Sequence, residues 1–117
     1  MNTVAFTGRL ATPVTVETYP GKDSAPAKTK AAFLLAVPKR KRDALQPDWI
    51  AVECWGRDAE VCREFLTKGV RVTVRGRLSG RFIVSKATDR RRLRMTVVAE
   101  EVVFGSGCDL ALRPLTE

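Results

Sequence analysis

The chain has 117 residues, 44% of them hydrophobic, and its 21 Lys and Arg residues outnumber its 13 Asp and Glu residues. This length suits one compact domain, and the ordinary apolar content argues against wholesale disorder. No apolar run approaches the roughly 20 residues that span a bilayer, and the N-terminus lacks a signal-peptide pattern, so we expect a cytoplasmic protein. The basic excess favours a polyanionic partner, either a nucleic acid or an anionic membrane surface.

The first part of the chain predicts two strands, each followed by a loop. Residues 4–10 alternate apolar and polar side chains, which predicts a first strand. We expect this strand to be long and bent and to continue past the break at Pro13. Residues 19–30, YPGKDSAPAKTK, collect the Gly, Pro, Ser and Asp typical of a surface loop. Residues 31–37, AAFLLAV, predict the second strand, and the basic stretch at residues 38–47 predicts the second loop.

The next segment, DWIAVECWG, predicts a strand with two very different faces. Alternation directs Ile50, Val52 and Cys54 into a core, and it directs Trp49 and Trp55 to the opposite face. The two indoles are then about 20 Å apart, too far to sandwich one base but suited to stacking different ones. The alternative is that each indole covers a second core or a subunit interface, where aromatic residues are common.

The remaining segments predict one helix followed by two long strands. In residues 56–69 apolar side chains recur at helical spacing, with Asp58 suited to cap the start and Gly69 to end the helix. The segment VRVTVRGRL alternates strictly and directs its valines and Leu78 inward. The RFIVS stretch either continues this strand or folds back as another one. The last strand is LRMTVVAEEVVF, residues 93–104.

Three strands, one helix and two long strands follow the order found in OB-folds. We therefore predict an all-β fold, a five-stranded OB-fold barrel with one α-helix between strands 3 and 4. This domain covers residues 1–105, and a short C-terminal tail covers residues 106–117.

The chain lacks the side chains that catalysis most often needs. It contains no histidine, the commonest general base and metal ligand. Its three cysteines, Cys54, Cys62 and Cys108, lack CxxC spacing and indicate neither a disulfide framework nor a zinc site. We expect Cys54 and Cys62 to act as small buried hydrophobic residues. Without a Walker, GxSxG or HExxH motif, the sequence predicts no enzymatic activity, no cofactor and no metal site.

The residues favour binding of a single-stranded nucleic acid and no membrane partner. Such a polymer presents a charged backbone and unpaired bases, so its binder needs basic grooves with aromatic platforms between them. Two segments, the loop before the tryptophan strand and a later hairpin region, hold 13 of the 21 basic residues. These residues are Lys39, Arg40, Lys41, Arg42, Arg71, Arg75, Arg77, Arg81, Lys86, Arg90, Arg91, Arg92 and Arg94. The alternatives are a solvated face that favours solubility and, for the KRKR run, a nuclear-localisation signal.

Spaced motifs over most of residues 1–105 resemble the bacterial-type single-stranded DNA-binding protein (SSB) family. They are N-x-V-x-x-x-G-R-L at residues 2–10, F-x-L-A at 33–36, W-x-x-V-x-x-W-G-x-x-A-E at 49–60, F-L-x-K-G at 65–69 and V-x-V-x-G-R-L at 72–78. No single motif is specific, but their order and combination are.

The resemblance implies an OB-fold that assembles into a homotetramer, with a dimer as the alternative. It implies sequence-independent binding of single-stranded DNA, and protection of that DNA in replication, recombination and repair, at the nucleoid in the cytoplasm. Trp49 and Trp55 match the family's stacking positions, the second of which is more often Phe. Arg57 and Lys68 match basic positions near the DNA path.

The sequence departs from the family pattern at three places. The family usually has an aromatic residue in the loop where this chain has the basic run ending at Arg42. It has another near Ile83, where Phe82 lies one place out of register. We therefore expect Phe82 near the DNA and binding that is more salt-sensitive than in an aromatic-rich relative. Residues 106–117 lack the family's acidic tip, so we do not expect that tip to recruit partner enzymes here.

Two other functions stay open at this point. The short tail also fits a dimeric OB-fold scaffold, similar to primosomal restart proteins, that bridges replication enzymes and binds DNA as a secondary task. RNA is the other possibility, because stacking platforms accept any base and contacts to a 2′-hydroxyl cannot be recognised in the sequence.

Overall fold

The computed structural model describes residues 1–39 and 46–104. These residues contain seven secondary-structure elements. In chain order they are β1 (Val4–Leu10), β2 (Thr15–Tyr19), β3 (Lys28–Val37), β4 (Asp48–Trp55), α1 (Arg57–Phe65), β5 (Arg71–Val84) and β6 (Arg91–Phe104). The described residues contain no helix that is long and apolar enough to cross a membrane.

Two strands, β1 and β2, replace the single bent strand that the sequence predicts at the start of the chain. Between them, Pro13 has no N–H to donate to a neighbouring strand. The Leu34 N–H of β3 instead donates a 3.0 Å hydrogen bond to Thr12 Oγ1. Both strands pair with β3, β1 through its last two residues and β2 through all five. They therefore follow one bent path along β3.

Backbone pairing closes five strands into a ring in the order β1, β5, β6, β4 and β3, with β3 returning to β1. The closure rests on two residue pairs at the end of β1, one of which is Leu10 with Leu35. All neighbours in the ring are antiparallel except β4 and β6, which pair in parallel at Val52 and Val97. The predicted all-β fold with one helix after the tryptophan strand is confirmed.

The core fills the inside of this ring, as the alternation of apolar side chains predicts. Every strand of the ring contributes at least one fully buried residue, and the helix side contributes three more that cover the β3–β4 part of the ring. A fully buried Val, Leu or Phe of this kind stabilises the fold by about 1.5–3 kcal/mol. The buried residues are Leu10, Ala31, Phe33, Leu35, Val52, Cys54, Ala59, Cys62, Leu66, Val72, Val74, Val97 and Val102.

Backbone hydrogen bonds hold the two ends of α1. Gly56 occupies the N-cap with a φ of 67°, a left-handed conformation that glycine adopts without strain. Its N–H donates to the carbonyl oxygen of Thr29 at 2.8 Å, which ties the β4–α1 turn to β3. The prediction that Asp58 caps the helix is wrong, because no side-chain cap is present and Asp58 lies in the first turn. At the other end the Leu66 N–H donates to the carbonyl oxygen of Cys62 at 2.9 Å.

Strands β5 and β6 extend past the ring as a two-stranded hairpin. β1 pairs with β5 only as far as Gly76, and β4 pairs with β6 only at Val97 and Val98. Beyond these points β5 and β6 pair with each other, so the RFIVS stretch continues β5 as far as Val84. Leu78 lies on the core side of β5, as alternation predicts, but it is 38% exposed because it lies past the ring.

The ring closure predicts a strict requirement for glycine at position 8. A Cβ at Gly8 would lie 2.3 Å from the carbonyl oxygen of Ala36 on β3. We expect Gly8→Ala to lower the free energy of unfolding by about 1–3 kcal/mol, because β1 must move away from β3. Urea unfolding followed by circular dichroism measures this change.

The matched control is Gly80→Ala in the projecting hairpin. There the nearest atom to the new Cβ would be Sδ of the exposed, flexible Met95 side chain, which can move. We expect a change within about 0.5 kcal/mol. Equal stability losses for the two variants would contradict the close approach of β1 and β3.

Candidate nucleic-acid interface

Both tryptophans lie on the outer face of the ring. Val52 and Cys54 of β4 are buried in the core, so the two-residue period of the strand turns Trp49 and Trp55 outward. Trp49 is 55% exposed and Trp55 is 38% exposed. The predicted outward orientation is therefore observed, whereas the role of the two indoles in binding stays a prediction.

An open groove of about 250 Å³ crosses this outer face between the sheet and the β5–β6 hairpin. Its floor includes Ala51 and Glu53, which lie between the two tryptophans on β4. Small or aliphatic side chains on β3 and β4 keep the floor shallow. The remaining residues along the groove are Thr12, Thr15, Lys30, Ala32, Phe33, Leu34, Val52, Arg81, Arg94 and Thr96.

The hairpin presents one basic and one apolar face, because pairing in register places matching side chains together. Arg81 pairs with Arg94, and both contribute to the groove. Phe82 pairs with Leu93 on the other face, where the Arg91 guanidinium lies 4.5 Å from the centre of the Phe82 ring. The structure thus brings the predicted residues Arg81 and Arg94 together and places Phe82, which is 60% exposed, on the opposite side of the hairpin.

A cluster around Trp55 contains residues that sequence reasoning missed. The ring centres of Trp55 and Tyr19 are 5.8 Å apart at a 33° tilt. Lys30 Nζ lies 5.6 Å from the Tyr19 ring and 6.0 Å from the Trp55 ring, a distance at which an ammonium group is attracted to an aromatic face. The outward alternation of β2 and β3 is the signal that could have identified Tyr19 and Lys30, but both fell within the predicted loop.

Two carboxylates orient the rings of this cluster. The Trp55 indole Nε1–H donates to Glu53 Oε1 at 3.2 Å, and the Tyr19 hydroxyl donates to Glu17 Oε2 at 2.6 Å. Each ring is therefore held at its polar edge while a face stays available for stacking. The end of the groove near Trp55 is mixed in charge, with Lys30 as a cation beside two carboxylates.

A second groove, of about 580 Å³, adjoins the Trp49 end of the same face. Ala36, the cross-strand neighbour of Trp49, lies along it together with three cationic residues, Arg9, Lys39 and Arg71. Arg9 was not predicted as a site residue, and its Nη1 donates to the carbonyl oxygen of Gly69 at 3.1 Å. The other residues along this groove are Thr7, Gly8, Pro38, Gln46 and Pro47.

Some of the predicted basic residues form ion pairs with acidic side chains of the same chain. Arg75 forms ion pairs with Glu101 at 3.3 Å and Glu100 at 3.6 Å, and it contributes to neither groove. Lys39 Nζ lies 3.8 Å from Asp48. Exposed ion pairs of this kind contribute about 0–1 kcal/mol each to stability, so each cation can readily leave its carboxylate and bind another anion.

The remaining predicted contacts are spread around the molecule. Arg57 and Lys68 are exposed at the start of α1 and just beyond its end, and Arg77 is exposed on β5. Lys86 and Arg90 lie in the β5–β6 turn, and Arg91 and Arg92 begin β6. Arg40, Lys41 and Arg42 lie outside the described residues. Within residues 1–39 and 46–104, no three His, Cys, Asp or Glu side chains lie close enough together to hold a metal ion.

A closed five-stranded ring with one helix and an open aromatic and basic outer face defines an OB-fold of the oligonucleotide-binding class. The chain belongs to the single-strand binding protein family, whose sequence model matches residues 1–105. The resemblance inferred from the spaced motifs is confirmed.

Relatives in several bacteria carry related sequences. The chain is 35% identical over 106 residues to single-stranded DNA-binding protein 3 of Clostridium acetobutylicum, and the match covers 89% of this chain and 70% of the relative. It is 34% identical over 106 residues to the single-stranded DNA-binding protein of Clostridium tetani, with the same coverage. It is also 30% identical over 78 residues to single-stranded DNA-binding protein 1 of a Nostoc species, covering 67% of this chain and 60% of the relative.

Proposed function

We propose that this protein binds single-stranded DNA without catalysis and with little sequence preference, and protects it during replication, recombination and repair. One observation carries the proposal: two exposed indoles lie on one outer strand face and flank a groove to which Lys30, Arg81 and Arg94 contribute. Membership of the single-strand binding protein family supports it, as do the names of the relatives.

Base stacking supplies the affinity that does not depend on charge. Trp49 and Trp55 each offer a flat, exposed ring to a different base of the same strand, and a stacked base contributes about 1–3 kcal/mol. Tyr19 beside Trp55 extends the aromatic surface onto β2. Every base has a π-face, so this mode of binding tolerates any sequence.

Cationic side chains lie along the same face to meet the phosphates. Lys30, Arg81 and Arg94 border the groove between the tryptophans, and the second groove beyond Trp49 adds further cations. The strand then passes from the Trp55 end, across the groove, to the Trp49 end. Further phosphate contacts are proposed at Lys39, Arg40, Lys41, Arg42, Arg57, Lys68, Arg77, Lys86, Arg90, Arg91 and Arg92.

Assembly into a homotetramer is part of the proposal, and two features of the surface support self-association. The apolar face of the hairpin exposes large side chains that water covers poorly, and such patches mark interaction sites. They are Leu78, Phe82, Val84, Leu93 and Met95. In addition, β1 pairs with β3 only at its last two residues, so most of one edge of β1 has no strand beside it among the described residues.

Removal of either indole tests the stacking proposal. We expect Trp49→Ala and Trp55→Ala each to raise the Kd for labelled oligo-dT by about 5- to 100-fold, because one stacked base is lost. Fluorescence anisotropy of the oligonucleotide measures this without relying on tryptophan emission. Trp49→Phe and Trp55→Phe are the matched controls and retain most of the affinity, since a phenyl ring still stacks. Alanine variants that bind like the unchanged protein would refute the proposal.

Competition between oligo-dT and oligo-U for the unchanged protein measures any preference for RNA over DNA.

Light scattering tests the assembly. We expect a mass of about 52 kDa, four times the 13.0 kDa protomer, at micromolar concentration. Phe82→Asp places a charge on the apolar face of the hairpin and should shift the population towards smaller species. A stable species of about 26 kDa would contradict the tetramer and favour the dimeric scaffold instead.

A further inference from the structure

Two buried thiols meet where α1 packs against β4, and nothing in the proposed binding function uses them. Cys54 is the last core-facing residue of β4, and Cys62 lies on the core side of α1. Neither side chain is accessible to solvent, and neither is part of a disulfide. The Cys62 thiol donates a hydrogen bond to Cys54 Sγ across 3.3 Å.

We propose that Cys54 and Cys62 are a dithiol modification site, which an external disulfide converts into an intramolecular disulfide that fastens α1 to β4. A disulfide has its sulfur atoms about 2.05 Å apart, so the two atoms need to approach by roughly 1.3 Å more. The nine residues from Cys54 to Cys62 already form a closed loop through this contact. The two sulfur atoms therefore already face each other across the contact between β4 and α1.

The closed structure protects these thiols from reaction. The hydrogen bond with Cys62 and the burial of the side chain raise the pKa of the Cys54 thiol, so it stays protonated at neutral pH. Only the thiolate attacks a disulfide. Oxidation thus requires local opening, which exposes the thiols to water and restores ordinary acidity.

Helix α1 is the element that can open. It has nine residues, its N-cap residue Gly56 supplies no side-chain cap, and isolated helices of this length are marginally stable. Ala59 and Cys62 are its only fully buried side chains, so detaching it uncovers the β3–β4 part of the core while the strands of the ring stay paired. Short elements with few buried contacts open at lower free energy than the whole protein.

The reaction proceeds in two balanced exchanges. In the open state the Cys62 thiolate attacks one sulfur of the external disulfide, which forms a mixed disulfide and releases one external thiolate. The Cys54 thiolate then attacks the Cys62 sulfur and releases the second external thiolate. In total, two protein thiols lose two protons and two electrons, and the external disulfide gains both to become two thiols.

Oxidised glutathione, added to the full chain, is the probe. We expect the protein to lose 2 Da and the tryptic peptide that ends at Arg57 to be joined to the peptide of residues 58–63. We expect the Tm to rise by roughly 5–10 °C, because a short loop is cross-linked in the unfolded state. A reducing agent should reverse both changes. These readouts do not involve DNA, so they stand or fall separately from the proposed binding function.

Single-cysteine variants supply the controls. Cys108→Ser retains the pair and should behave like the unchanged protein, whereas Cys62→Ala should show no rise in Tm with oxidised glutathione. If Cys62→Ala does not fold, the peptide map of the unchanged chain decides. Glutathione adducts left on Cys54 or Cys62, a bond from either one to Cys108, or no reaction with the pair would overturn the proposal.

Discussion

The two-residue period of β4 is the constraint on which the rest of the structure depends. Val52 and Cys54 fill the core, and Val52 lies beside Val97 where β4 joins β6 in the ring. A strand that commits these side chains inward has to turn Trp49 and Trp55 outward. A shift of one residue would bury the indoles and expose the core, so the fold and the candidate binding face are specified by the same register.

Charge on the outer face is unevenly distributed along the groove. Near Trp55, Glu53 and Glu17 hold the aromatic edges while Lys30 is the neighbouring cation. Farther along, Arg81 and Arg94 face the groove from the hairpin. In the proposed mode of binding, these carboxylates restrain the rings but repel phosphate, so stacking should dominate near Trp55 and charge nearer the hairpin.

The sequence predicts those features that follow from the period of apolar side chains within one segment. It predicts the buried row of β4, the outward tryptophans and the single helix. Alternation could have placed Tyr19 and Lys30 on outward faces, but their contact with Trp55 depends on the register between three strands, which the sequence does not show. The ion pairs of Arg75 depend on the irregularity of pairing between Arg75 and Gly76, which brings both Glu100 and Glu101 within reach. Pairing across the hairpin, not spacing along β5, determines that Phe82 lies opposite Leu93.

In the proposed mode of binding, the exposed indoles stack unpaired bases while the neighbouring cations contact phosphates. Titration of the unchanged protein with oligo-dT at several salt concentrations, followed by tryptophan emission, tests both contacts at once. We expect strong quenching at low salt, and an affinity that falls with a log–log slope near −3.5 if about five phosphates are contacted. Tryptophan emission that does not change on addition of oligo-dT at low salt would contradict base stacking on the indoles.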